Sequence, residues 1–318
     1  MRETVSVIVL TYNPDREKLF ATLNSIIIQE NIDIEIIVSD DGSMHTYFSD
    51  IKELFAEKAI VNYRVIKNEK NVGTVKNAIS GIKVAHGKYV KLISPGDMLT
   101  NKNVLSEWIS ALASSGKKWS FCDALFYRLV NRSVVLQKQK CHPSIVDVYK
   151  KKKDDECRWN YVMANDVALG AAILCEKDVL LQYLYKVEDK VKYTEDSVFK
   201  IMMFDGICAY YFENEAILYE CESGISTQNS ERWNKIIGED WTAADNVMLS
   251  RPQYEDKFQK EMHCFLSGRE KYTGYLWVLK VLMEPRRIGF ETKKRIYTRY
   301  SPVELPDELK EVNWYAHN

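Results

Sequence analysis

Five short polar stretches carry side chains that could act on a ligand. Thr11-Tyr12-Asn13 and Asp40-Asp41-Gly42-Ser43 each follow an apolar run. A carboxylate such as Asp41, standing just beyond a strand, can accept hydrogen bonds from the N–H groups of a ligand; Asp-Gly-Ser is equally ordinary turn chemistry. Asn71-Val72-Gly73 opens a helix that holds Lys76. A glycine there lets backbone approach a ligand closely, and a helix N-terminus favours anions, so Gly73 and Lys76 could meet an anionic group. The plain alternative for Lys76 is an exposed helix lysine. Ser94-Pro95-Gly96-Asp97 offers one carboxylate, Asp97. Hard cations take oxygen ligands, and Mg2+ keeps several waters, so one carboxylate plus substrate phosphates can hold it. Asp97 could instead cap the segment after a Pro-Gly turn. Glu195-Asp196 begins a helix, where acidic residues complement the helix dipole. A carboxylate so placed can also take a proton from an attacking hydroxyl.

The elements that must position these groups alternate. Val5–Leu10 is a continuous apolar run of strand length. Asn13-Pro14-Asp15 is a helix-start signal, and Leu19, Phe20, Leu23, Ile26 and Ile27 recur at helical spacing. Ile34–Ser39 and Ile60–Ile66 read as strands. Val75 to Ala85 reads as a helix closed by Gly87, Tyr89–Ile93 as a strand, Asn103–Ser114 as a helix and Trp119–Phe126 as a strand. Strands this apolar are buried on both faces, as in an α/β fold with a mostly parallel sheet flanked by helices. In such sheets ligands bind beyond the carboxyl ends of the strands, where three of the polar stretches lie. Residues 127–160 are polar and read as an exposed excursion. A helix is expected near Lys177–Leu184 and another from Glu195 through Phe204, followed by strands at Ile207–Phe212 and Ala216–Cys221. From about Asn229 to Met283 helical patterns dominate, which suggests a first domain over residues 1–228 and an appended helical region over 229–318.

The formal net charge is −1 over 318 residues, so overall charge gives no sign of a nucleic-acid partner. Seven cysteines, an odd number, include no CxxC pair, and Cys122, Cys175 and Cys208 sit in apolar runs. They read as reduced thiols in a reducing compartment. The five histidines are scattered without metal-ligand spacing. No leader-like or membrane-spanning apolar run is present, so the expected location is cytoplasmic. Tyr272, Tyr275, Leu276, Trp277, Leu279, Val281 and Leu282 precede Arg286, Arg287, Lys293, Lys294, Arg295 and Arg299. Apolar and aromatic residues beside a basic cluster suit a helix lying on an anionic membrane face. A core-packing helix with a solvated basic tail, or a dimer contact, has the same pattern.

In order and spacing, these stretches resemble the family 2 glycosyltransferases over roughly residues 4–228. The match runs through Val5–Asn13, Val38–Ser43, Asn71–Asn77, Ala85–Val90, Ser94–Leu99, Glu195-Asp196 and Tyr219–Thr227. The resemblance implies the GT-A fold and an inverting transfer of a sugar from a nucleotide diphosphate, with UDP expected. Asp41 then matches the residue facing the base, with Thr11, Tyr12 and Asn13 beside base and ribose, and Lys76 meeting the diphosphate or orienting Asp41. Asp196 matches the general base. The family's Asp-x-Asp run falls on Ser94–Asp97 and keeps only Asp97, so Mg2+ or Mn2+ would be held by that one carboxylate; otherwise cationic side chains would stabilise the leaving group. Asn165–Cys175 stands at the acceptor-side wall, where Asp166 could bind a sugar hydroxyl or act as a cap. Trp159 and Tyr161 could stack on a sugar or be core aromatics. The implied partners are a nucleotide-sugar donor, a glycan or lipid-linked acceptor of surface polysaccharide biosynthesis, and a membrane surface. Two other readings share this kind of fold. One is a nucleotide-sugar-binding protein without turnover, which the depleted Asp-x-Asp run favours. The other is a sugar-phosphate nucleotidyltransferase, which the Thr-Tyr-Asn-Pro end of the first strand opposes.

Overall fold

The computed structural model describes residues 4–222, 224, 230–250, 254–271 and 285–305. Its first half alternates as expected: β1 (Thr4–Thr11), α1 (Arg16–Ile27), β2 (Asp33–Asp40), α2 (Phe48–Glu57), β3 (Tyr63–Lys67), α3 (Thr74–Val84), β4 (Tyr89–Ile93), β5 (Met98–Leu99) and α4 (Val104–Ser115). Then come β6 (Trp119–Val130), β7 (Ser133–Leu136), α5 (Asp147–Lys150), α6 (Asp154–Arg158), β8 (Ile173–Glu176), α7 (Lys177–Val187), α8 (Val198–Phe204), β9 (Tyr210–Glu220), α9 (Glu231–Leu249), α10 (Lys257–Lys271) and α11 (Pro285–Tyr297). The sheet runs β3-β2-β1-β4-β8-β6-β9-β5, with β7 on β6. β3, β2, β1 and β4 are parallel; β8 is antiparallel to its neighbours β4 and β6, and β6 returns to parallel with β9.

Two-sided burial of β1 explains its apolar run. Val5, Val7 and Val9 pack on the side of α1 and α4, while Ile8 and Leu10 pack on the side of α3 and α7. Each such fully buried side chain contributes about 1.5–3 kcal/mol. Asp15 caps α1 by accepting from the Lys18 N–H at 3.0 Å, as its place after Pro14 predicts. A slip of β1 by one residue would swap its two faces. Ser6 helps to fix the register at the far end of the sheet, where its hydroxyl donates to Glu35 at 2.6 Å and accepts from the Gly87 N–H.

The structure corrects several readings. β3 begins three residues later than the apolar run Ile60–Ile66, and α2 was not read at all; only Ile51 and Phe55 of α2 are buried, too few to mark a period. Residues 127–160 are not an exposed excursion. β6 continues to Val130 and forms a hairpin with β7, and Ile145, Val148, Tyr149 and Cys157 enter the core. The two strands expected over 207–221 are one, β9. Its polar Glu213-Asn214-Glu215 stretch is taken up by register shifts against β6 between Cys122 and Ala124, and a bulge of that kind bends a strand without ending it.

After β9, α9 buries Asp240, Ala244 and Met248, and α11 buries Phe290. Arg299 leaves the basic cluster expected on a membrane. Its guanidinium is bidentate to Asp123 on β6 at 2.6 and 2.9 Å, and Tyr211 donates to the same carboxylate. The stretch Tyr272–Leu282 lies outside the described residues. All seven cysteines are free. Among the described residues no helix is long and apolar enough to cross a membrane.

Candidate active site

Three expected groups meet at the carboxyl ends of β1 and β2. Thr11 closes β1, and its hydroxyl donates to Asp40 at 2.9 Å. Asn13 takes a left-handed φ of 44°; its N–H donates to Ser43 Oγ and its side-chain oxygen accepts from the Met44 N–H. The two loops are thus stitched together, with Tyr12 standing out of them, 54% exposed.

Asp41 is 3% exposed. Its carboxylate accepts from the N–H groups of Val72 and Gly73, both at 2.9 Å, and from Asn68 Nδ2 at 3.1 Å. Hydrogen bonds to a charged group contribute about 1.5–3 kcal/mol each. The amides at the start of α3 could hold an external anion, but here Asp41 is the anion they hold. Lys76 does not orient Asp41; it points to solvent and pairs with exposed Asp189 at 3.1 Å, an arrangement that contributes little.

Gly73 has φ 92° and ψ 163°, a region essentially reserved for glycine. A Cβ there would lie 2.6 Å from the Lys192 carbonyl oxygen, and the Val75 N–H donates to that same oxygen at 3.0 Å. This contact brings the Asp41 loop against the segment that leads into Glu195-Asp196.

The acidic pair occupies one 3-10 turn, Glu195–Ser197, leading into α8. Val90, Leu92, Ile173, Leu180 and Phe199 surround it. This apolar setting disfavours the charged forms. Burial pushes both carboxyls up, and the charge of Asp196 raises Glu195 further. Gly170 makes room: a Cβ there would stand 3.0 Å from Asp196 Oδ2. The only sequence signal for Gly170 was a lone glycine in the Asn165–Cys175 run.

Lys91 was also missed. It is fully buried in β4, where a strand residue of an apolar run should be apolar. Its Nζ donates to the carbonyls of Leu92, at 2.8 Å, and Ala171, so it pins the turn that carries Gly170. Burial lowers it to about 8, while Asp97 and Glu195 favour its charge.

Asp97, like Glu195, is near enough to Lys91 of β4 to favour its charge. It is 6% exposed, and its carboxylate accepts from the Glu220 N–H at 3.2 Å. Burial pushes it up to about 7. Glu220 in turn pairs with Lys18 at 3.1 Å. Among the described residues no cluster of three or more metal-ligating side chains occurs. Asp97 is the carboxylate that the Ser94–Asp97 turn offers, and one carboxylate with phosphates and water is a donor set that Mg2+ accepts.

The Asp166 carboxylate is 3% exposed and accepts from the N–H groups of Ser144 and Ile145, in a distant loop, so it does not cap the segment that follows it. Trp159 and Tyr161 are core aromatics, 8% and 1% exposed. A cavity of about 680 Å3 lies elsewhere, between α6 and helices α10 and α11, with Trp159, Phe258 and Phe290 on its walls.

Residues 6–162 match the family described as "Glycosyl transferase family 2". The fold resembles that of S. aureus TarS 1–349 in complex with UDP, with a TM-score of 0.52 and 17% identity over 85% of this chain and 72% of that one. It also resembles the mannosyltransferase PcManGT from Pyrobaculum calidifontis in complex with GDP-Man and Mn2+, with a TM-score of 0.52 and 12% identity over 93% of this chain and 88% of that one. At these identities the likeness establishes the GT-A fold. No curated protein matches the sequence.

Proposed function

Because the chain belongs to glycosyl transferase family 2 and is a glycosyltransferase of GT-A fold, we propose that it transfers a sugar with inversion from UDP to a hydroxyl of a glycan or lipid-linked oligosaccharide in surface polysaccharide biosynthesis. One observation supports this above the others. The Gly73–Lys192 contact sets the Asp41 loop beside the segment leading into Asp196, so a donor seated on one would present its sugar near the other.

In this reading Thr11, Tyr12, Asn13 and Asp41 receive the uridine. Asp41 keeps the Val72–Gly73 turn in shape and offers its remaining lone pairs to the N–H of the base. Asp196 is the general base. The acceptor oxygen bonds to the anomeric carbon as the bond to the diphosphate breaks, and the hydroxyl proton passes to the Asp196 carboxylate. A positioned base of this kind contributes about 10²–10⁴-fold. Mg2+ or Mn2+, when bound, would be held by Asp97 and would neutralise charge on the diphosphate. Lys91 keeps a positive charge beneath the turn.

The first test is calorimetric titration with UDP, GDP and CDP, with and without Mn2+. UDP should bind best, and Asp41→Ala should weaken that binding. Unchanged UDP affinity in the variant removes Asp41 from the base site. Enhancement by Mn2+ that disappears in Asp97→Asn supports the single-ligand site; no enhancement discards it. UDP binding without transfer to any acceptor in a broad panel would favour the binding-protein alternative.

Contact with a membrane is part of the same proposal. α11 exposes Ile288, Ile296 and Tyr297 together with Arg286, Lys293 and Arg295. Basic residues near an anionic surface contribute about 1 kcal/mol each. The protein should therefore sediment with vesicles containing phosphatidylglycerol, less so as salt rises, and should stay in solution with purely zwitterionic vesicles. Absence of binding to either kind would withdraw the membrane contact.

A further inference from the structure

We infer that Asp240, on α9, is a positioning residue for both the donor loop and the proposed base. It lies outside residues 6–162, the part of the chain that matches the family, and is 7% exposed. Its carboxylate accepts from three consecutive backbone N–H groups: Lys192 at 3.2 Å, Tyr193 at 2.6 Å and Thr194 at 3.2 Å. Consecutive amides turned toward one anion form a stiff concavity, and charge-assisted bonds to them are stronger than neutral ones. The segment so fixed has work at both of its ends. At one end the Lys192 carbonyl accepts from the Val75 N–H and closes over Gly73, whose own N–H holds Asp41. At the other end the chain passes from Thr194 directly into Glu195-Asp196. Asp240 is thus a carboxylate through which α9 holds the stretch between the two halves of the site.

α9 is docked by other contacts as well, which leave residues 192–194 untouched. Asp245 pairs with buried Lys200 on α8 at 2.7 Å, and Ala244 and Met248 sit in the core. This separation gives the test its control. Asp240→Asn keeps the shape, removes the charge and turns a donor toward three donors. Asp245→Asn weakens the same helix without touching the segment.

The inference rests on Asp196 as base, and its experiment includes a readout that does not. In Asp240→Asn, amide hydrogen exchange at residues 192–194 should accelerate. Misplacement by about 1 Å can cost about 10²-fold, so kcat should fall by about 10- to 100-fold, with a smaller loss of UDP affinity. Asp245→Asn should lower the thermal midpoint by at least as much and leave kcat within a few-fold, roughly, since its partner is Lys200 and not the 192–194 segment. Parental kcat in Asp240→Asn, or unchanged exchange at 192–194, would overturn the inference. So would a fall of kcat in Asp245→Asn that matches that in Asp240→Asn. A fully active Asp196→Asn would defeat the base assignment instead, and exchange and UDP affinity in Asp240→Asn would still decide the role of Asp240.

Discussion

Asp196→Asn is expected to bind UDP as the parent protein does and to lose about 10²–10⁴-fold in transfer. The exchange of one carboxylate oxygen for an amide nitrogen keeps the size of the side chain, which matters beside Gly170, where a Cβ would stand only 3.0 Å from Asp196 Oδ2. Binding and folding should therefore survive while the proton acceptor is lost. The pH profile of the parent protein gives a second signature. A general base works only when ionised, so kcat falls as pH drops through its pKa. The apolar surroundings raise both carboxyls of the pair, so this fall should come well above the ordinary carboxylate range, towards neutrality. In Asp196→Asn the residual rate should no longer follow that limb. Near-parental transfer in a folded Asp196→Asn would rule the residue out as base.

Gly73→Ala should be the most damaging small substitution in the donor loop. At φ 92° and ψ 163°, an alanine costs of the order of 1–3 kcal/mol in backbone strain alone. Its Cβ would also stand 2.4 Å from Lys192 Cγ and 2.6 Å from the Lys192 carbonyl oxygen. The side-chain carbon can move aside; the carbonyl is fixed by the Val75 N–H. The loop must then shift as a whole, taking its N–H away from Asp41. Urea unfolding should show a lower midpoint with the same slope, and titration should show weaker UDP binding. A stable Gly73→Ala with parental UDP affinity would mean that the close approach has no consequence for the donor site.

Much of this could be read from the sequence, and what could not has physical causes. β1, β2 and β4 were legible because both of their faces are buried, and the polar residues after them were legible because a parallel sheet ends its strands at the ligand side. α2 was not legible, because a helix lying on the surface buries only Ile51 and Phe55. β9 was read as two strands because a bulge and a turn place the same polar residues in a chain. Asp41 was legible as a site residue, but its engagement with the Val72–Gly73 amides was not, since that depends on how two distant loops pass each other. Lys91 was passed over because one lysine within an apolar strand has no period to disturb. Asp240 was invisible for a related reason: its partners are backbone groups, which leave no mark in side-chain composition.

The clasp between Arg299 and Asp123 spans 176 positions. At about 5–20 residues per second, a ribosome that has just made Asp123 needs on the order of 10–35 s more to reach Arg299. Through that interval β6 carries a carboxylate whose permanent counter-charge does not yet exist. Tyr211 arrives halfway, 88 positions on, and can offer one hydroxyl proton but no charge. The middle of the sheet must therefore be assembled while its key electrostatic partner is still being synthesised, and β6 is the strand most in need of shelter as the chain is born.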